Sequence, residues 1–162
     1  MKSRSTRRIS RRSETLRGLA ILAALIGAGC SDVLGPQQDD LSAARARWAV
    51  AGPENYLFEL QRSCFCGPDF LRAVEIQVQS GAVFSAIYVD TQEPIDEPLN
   101  TVPTIEDLFD EIQDAIDREA FRLDVVYSED LGYPLSVSID FSEMIADEEQ
   151  SFQVRNFGEL LF

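Results

Sequence analysis

No histidine occurs anywhere in the 162 residues, and the only lysine is Lys2. The missing imidazole removes the general base of Ser-His-Asp and Cys-His catalysis and the commonest nitrogen ligand of a catalytic metal. Long apolar runs are missing too. Residues 18–29 carry no charge and are rich in Gly and Ala, but they fall well short of the roughly 20 apolar residues that span a bilayer. Positive charge is scarce after residue 17. From residue 30 onward seven arginines face 27 of the 28 Asp and Glu residues, a net charge of −20. Such a surface repels phosphate backbones and anionic headgroups. Nucleic acid is excluded as a partner, and any hold on a membrane must come from a lipid.

What is present begins with an address. Lys2, Arg4, Arg7, Arg8, Arg11, Arg12 and Arg17 form a basic segment, and the apolar stretch 18–29 follows it. A basic region, a short apolar region and small residues before a cleavage point make a secretory signal. Leu25-Ile26-Gly27-Ala28-Gly29-Cys30 resembles the lipobox of bacterial lipoproteins, with Gly27 where that family usually has Leu. The resemblance implies cleavage before Cys30 and acylation of Cys30. Ser31, rather than Asp, follows, which by the family's sorting habit implies the outer membrane. The expected organisation is a signal peptide over 1–29, a flexible tether over 30–40 and one domain over 41–162.

The remaining cysteines, Cys64 and Cys66, form an even pair in an oxidising compartment, where disulfides persist. In an extended strand residues two apart lie about 6.6 Å apart, near the limit for a disulfide. Closure needs a bend, and Gly67-Pro68 stands next door. A thiol-exchange centre is the sharper alternative, but no His or Lys is at hand to lower a thiol pKa. Two thiolates without further Cys or His ligands do not make a zinc site.

Periodicity places the elements. Leu41, Ala44 and Trp48 share a helical face over about 40–50, and Gly52-Pro53 stops it. Tyr56, Phe58 and Leu60 alternate with Leu57, Glu59 and Gln61 as a half-buried strand, and Val74, Ile76 and Val78 alternate with Glu75, Gln77 and Gln79. Ser80-Gly81 turns the chain into a hairpin partner over 83–89, apolar on both faces and therefore expected at the centre of the sheet. Thr104 and Asp107 form a capping box for a second helix, with Ile105, Leu108, Phe109, Ile112 and Ile116 as its apolar stripe. Asp107, Asp110, Glu111, Asp114 and Asp117 make its outer face. Strands follow at Phe121, Leu123, Val125 and Tyr127, at Leu135, Val137, Ile139 and Phe141, and at Phe152 and Val154.

These residues resemble an uncharacterised family of bacterial lipoproteins that carries a domain of unknown function. Tyr56-Leu57-Phe58-Glu59-Leu60-Gln61-Arg62-Ser63-Cys64-Phe65-Cys66 is similar to its opening block, with its Cys-x-Cys. Residues 104–109 resemble a second block. Val126-Tyr127, Gly132-Tyr133-Pro134 and Ile139-Asp140 resemble a third, with Ser128 where the family usually has Asp. Asp147-Glu148-Glu149 and Phe152 resemble the last. The resemblance implies no activity.

The expected fold is α+β: an antiparallel sheet of about six strands with two helices on one face, and a possible αβββ tandem repeat. The expected function is a non-enzymatic, lipid-anchored module that binds another envelope protein or helps assemble envelope components. It would need no cofactor and would sit at the periplasmic face of the outer membrane. One alternative is a periplasmic thiol redox or small hydrolytic enzyme. Another is a Ca²⁺-binding module using Asp130, Asp140, Asp147, Glu148 and Glu149, since Ca²⁺ takes several oxygen ligands. No EF-hand spacing is present.

Overall fold

The computed structural model describes residues 35–144 and 149–161. Two helices, α1 (Gly35–Ala51) and α2 (Ile105–Asp117), alternate with six strands. The strands are β1 (Tyr56–Cys64), β2 (Val74–Gln79), β3 (Ala82–Tyr88), β4 (Arg122–Tyr127), β5 (Pro134–Asp140) and β6 (Gln150–Glu159). They form one sheet in the order β3-β2-β1-β6-β5-β4, and every neighbouring pair is antiparallel. This is the expected α+β architecture.

One face of the sheet supplies the core. Tyr56, Phe58, Leu60, Ile76, Val78, Leu123, Val137, Ile139, Phe152 and Val154 are buried together with Leu41, Ala44 and Trp48 of α1 and the stripe of α2. The period of two marked the buried face along most of these strands, and Val137 is only 2 % exposed. Phe121, expected to open the inward row of β4, instead precedes that strand and is 57 % exposed. Glu75, Gln77, Ser136, Ser138, Gln153 and Arg155 alternate with these residues on the opposite, polar face.

Three expectations change. Residues 35–40, expected within the tether, are helical, because α1 begins at Gly35; the rest of the expected tether and the expected signal peptide lie outside the described residues. Pro36 suits the first helical turn, where its missing N–H has no intrahelical partner to lose. The strand expected at the centre, β3, is an edge strand. Its apolar character is used differently. The register slips opposite Gln77 and Val78, so that Val83 and Ala86 face inward and Phe84 is left bulged out, 62 % exposed. The later chain shields part of the edge, with the Tyr88 N–H donating to the Glu93 carbonyl and the Ile95 N–H to that of Ala86.

The tandem repeat fails on topology, although the element order reads αβββαβββ. β3-β2-β1 and β6-β5-β4 follow the same order across the sheet, yet β1 and β4 run in opposite directions. Both helices cover the same face. No rotation keeps the face and the order while reversing the strands, so the halves are mirror arrangements and do not superpose.

Thr104 caps α2 as its sequence implies. The Asp107 N–H donates to the Thr104 hydroxyl, and the Thr104 N–H donates back to the Asp107 carboxylate. The acids on the outer face of α2 lie four apart and repel one another by a few tenths of a kcal/mol per pair. Three arginines offset this: Arg45 pairs with Asp110, Arg62 with Glu111 and Arg118 with Asp114.

Candidate functional site: a groove at one end of the sheet

The strand pairing defines the two ends of the sheet. Cys64 at the end of β1 lies opposite Gln150 at the start of β6. Asp140 at the end of β5 lies opposite Arg122 at the start of β4, and Val74 at the start of β2 lies opposite Tyr88 at the end of β3. The connections after β1, β3 and β5, and the one before β4, therefore all emerge at this end. They carry Phe65, Phe70, Leu71, Phe121 and Met144, all exposed, with Phe65 at 82 % and Met144 at 92 %. Single exposed apolar residues are ordinary, whereas several large ones at one end of one sheet make that end the candidate site.

A cavity of about 410 Å³ opens here, between the lower halves of β1, β2 and β3 and the connection 89–103. Leu60, Val74, Ile76, Tyr88, Ile95 and Val102 make its apolar walls. Phe70 stands at its edge, and Arg62 and Arg72 flank it. Both guanidiniums are engaged. Arg62 donates through both terminal nitrogens to Glu111, at 2.5 and 3.2 Å. Arg72 lies over the Tyr88 ring, 3.5 Å from its centroid, and donates to Asp90 and Thr91. The hydrogen bonds from Arg72 hold the Asp90 carboxyl below its ordinary pKa. These pairs fix the walls of the groove. A second, polar cavity of about 560 Å³ shares Arg62, Thr101, Val102 and Pro103 with it and runs along α2.

The sequence-derived candidates fall as follows. Cys64 and Cys66 sit at this same end, brought into contact with their Cα atoms 5.2 Å apart. The bend after Cys64 closes the gap that an extended strand would leave. Cys30, Asp147 and Glu148 lie outside the described residues. Asp130 lies in the turn between β4 and β5, whereas Asp140 ends β5 at the opposite end of the hairpin. A strand of seven residues is about 20 Å long, so these two cannot share one cation. Asp140 instead accepts the Ser142 N–H at 2.9 Å. Among the described residues no three His, Cys, Asp or Glu side chains gather as a metal-binding group.

Sequence reasoning missed one residue, Glu106. Its two carboxylate oxygens accept from Trp48 Nε1 at 2.8 Å and from the Tyr56 hydroxyl at 2.9 Å. Tyr56 in turn accepts the Ile105 N–H. Burial, with the negative charge of Glu106 adding to it, pushes the Tyr56 phenol pKa up. This knot lies at the far end of the sheet from the groove, and Tyr133 and Phe157 complete it, their rings stacked 4.5 Å apart. A Glu in the first turn of a helix reads locally as a partner for the helix dipole, and its place in the block 104–109 was the one signal that pointed to it.

The residues that resemble family blocks thus serve two places. Tyr56, Glu106 and Tyr133 hold the knot, while Arg62 lines the groove and Cys64, Phe65 and Cys66 lie at its end of the sheet. No curated protein and no solved structure matches the chain. The chain does belong to DUF6174, a family of unknown function, whose family model matches residues 40–159.

Proposed function

We propose that this is a non-enzymatic binding module, lipid-anchored through Cys30 at the periplasmic face of the outer membrane, that holds another envelope protein at the groove end of its sheet. The observation that carries the reading is the exposure of Phe65, Phe70, Leu71, Phe121 and Met144 on connections at one end of the sheet, where Phe70 also lines a preformed apolar cavity. Aromatic and Met side chains are enriched at the cores of protein interfaces. The groove lining carries one carboxylate, Glu97, beside two engaged guanidiniums, chemistry that suits holding a partner. Cys64 and Cys66 enter this reading as a structural disulfide that keeps the Phe65 turn in place. The anchor rests on the basic and apolar leader and on Gly27-Ala28-Gly29-Cys30.

Two measurements test it. Cys30→Ser should move the protein from the membrane to the soluble periplasmic fraction; an uncleaved, membrane-bound variant would overturn the lipid anchor. A photo-crosslinking residue at Phe65 or Phe70 should give one adduct of one mass in intact cells, and none when placed at Val126 on β4. The same adducts from all three positions would overturn the binding site.

A further inference from the structure

We infer that the groove takes a cationic polypeptide segment with one apolar anchor side chain, an inference that rests on the binding reading above and names the partner's chemistry. The anchor enters between Leu60, Val74, Ile76, Tyr88 and Val102, and flanking Lys or Arg side chains meet the connection 89–103. That connection is the groove's outer wall and carries Asp90, Glu93, Asp96 and Glu97 with no basic residue. Asp90 is taken up by Arg72. Glu93, Asp96 and Glu97 belong to none of the ion pairs among the described residues. The neighbouring connections add Glu119, Glu143 and Glu149, all exposed.

Charge decides between the possible occupants of so apolar an end. A second copy of the chain brings another net −20 from residue 30 onward, and an anionic lipid surface is likewise repelled. A basic polypeptide is attracted, its approach is steered by the field, and its apolar residue finds a desolvated pocket.

The test uses the acylated chain from residue 30 onward in neutral phosphatidylcholine vesicles and three fluorescent ten-residue peptides. One carries Phe among lysines, one Phe among glutamates, and one Ala among lysines. Fluorescence anisotropy should show the Lys–Phe peptide binding about tenfold or more tightly than either of the others, and weakening as salt rises. Phe70→Ser, at an exposed position, should cost most of that preference. Glu93→Gln/Asp96→Asn/Glu97→Gln should weaken binding severalfold, whereas Glu54→Gln/Glu129→Gln/Asp130→Asn at the far end, with the same change of charge, should leave it unaltered. Equal loss in both triple variants would mean that a diffuse field does the binding, and would overturn the inference. So would equal binding of the Glu–Phe peptide, or a stronger association of the chain with phosphatidylglycerol vesicles than with the Lys–Phe peptide. Site-specific crosslinks at Phe65 to an acidic partner segment would sink this inference and leave the binding reading standing. Absence of any site-specific crosslink would sink both.

Discussion

The indole of Trp48 meets the ring of Tyr56 edge-on, with centroids 5.3 Å apart and planes at 88°. Both donate to the same carboxylate, Glu106. One side chain at the start of α2 therefore ties the end of α1 to the start of β1. Three elements that meet only in the folded state depend on it.

Glu106→Ala leaves the Trp48 N–H and the Tyr56 O–H without their acceptor. Hydrogen bonds to a charged group contribute about 1.5–3 kcal/mol, and an unsatisfied buried donor costs about 1–3 kcal/mol. The variant should lose about 3 kcal/mol in chemical denaturation. Glu106→Gln keeps one acceptor and should lose about half as much. Trp48 is the only tryptophan, so its fluorescence reports the loss of the bond directly. An unchanged midpoint in Glu106→Ala would show that the knot is ornamental.

Gly132 gives a second test. Its φ is +87°, and a Cβ there would collide with the Ala44 carbonyl oxygen of α1. The turn also closes with the Gly132 N–H donating to the Ser128 carbonyl and the Leu131 N–H to the Ser128 hydroxyl. Ser128 thus provides the acceptor that an Asp would place there. Gly132→Ala should cost about 2–4 kcal/mol, about 1 from the left-handed backbone and the rest from the clash. Gly81→Ala meets no atom nearby and should cost only the first part. Equal losses in the two variants would show that α1 yields to the turn.

Alkaline pH should destabilise the fold through its tyrosines. Burial raises the Tyr127 phenol from 10.0 to about 12, with Asp40 adding to the shift and Arg45 opposing it. Tyr133 is raised by burial and by Asp130. A raised folded pKa means that the fold holds the neutral phenol. This stabilisation is complete below pH 10, the unfolded value, and is lost as pH rises through the folded one. Denaturation midpoints should therefore fall steadily between pH 10 and about 12, with phenolate absorbance rising in step. Phenolate that forms near pH 10 in a chain still folded would contradict the burial.

The pair Cys64 and Cys66 should be oxidised in protein purified from the periplasm. Intact mass before and after reduction, with thiol titration, reads this directly. So small a ring removes little chain entropy, and Cys64→Ser/Cys66→Ser should stay folded while losing about 1–2 kcal/mol. Two free thiols in the native protein would remove the bond. Exchange activity on a test disulfide would favour an oxidoreductase over a binding module.

Much of this architecture was legible before the fold. The alternation at Val74, Ile76 and Val78 and at Val137 and Ile139, the stripe of α2, and the Thr104–Asp107 box all follow from interactions within a few residues of chain. Ser80-Gly81 was legible for the same reason: both residues take positive φ, which a two-residue hairpin turn demands. The periodicity of side chains depends only on backbone geometry, and that geometry is written locally.

What only the tertiary structure decided is which segments meet. β3 carries the apolar residues of a central strand and sits at an edge, because the bulge at Phe84 and the returning chain at 93–95 take up the surface that a neighbouring strand would have covered. β1 lies beside β6, and that pairing brings Cys64 opposite Gln150 and sets the groove end. Glu106 looked like any acid in a first helical turn until Trp48 and Tyr56 arrived from α1 and β1. Local patterns state what each segment can bury. Which partner it buries against depends on contacts between residues 50 or more apart, whose free energy appears only when the whole sheet and both helices close together.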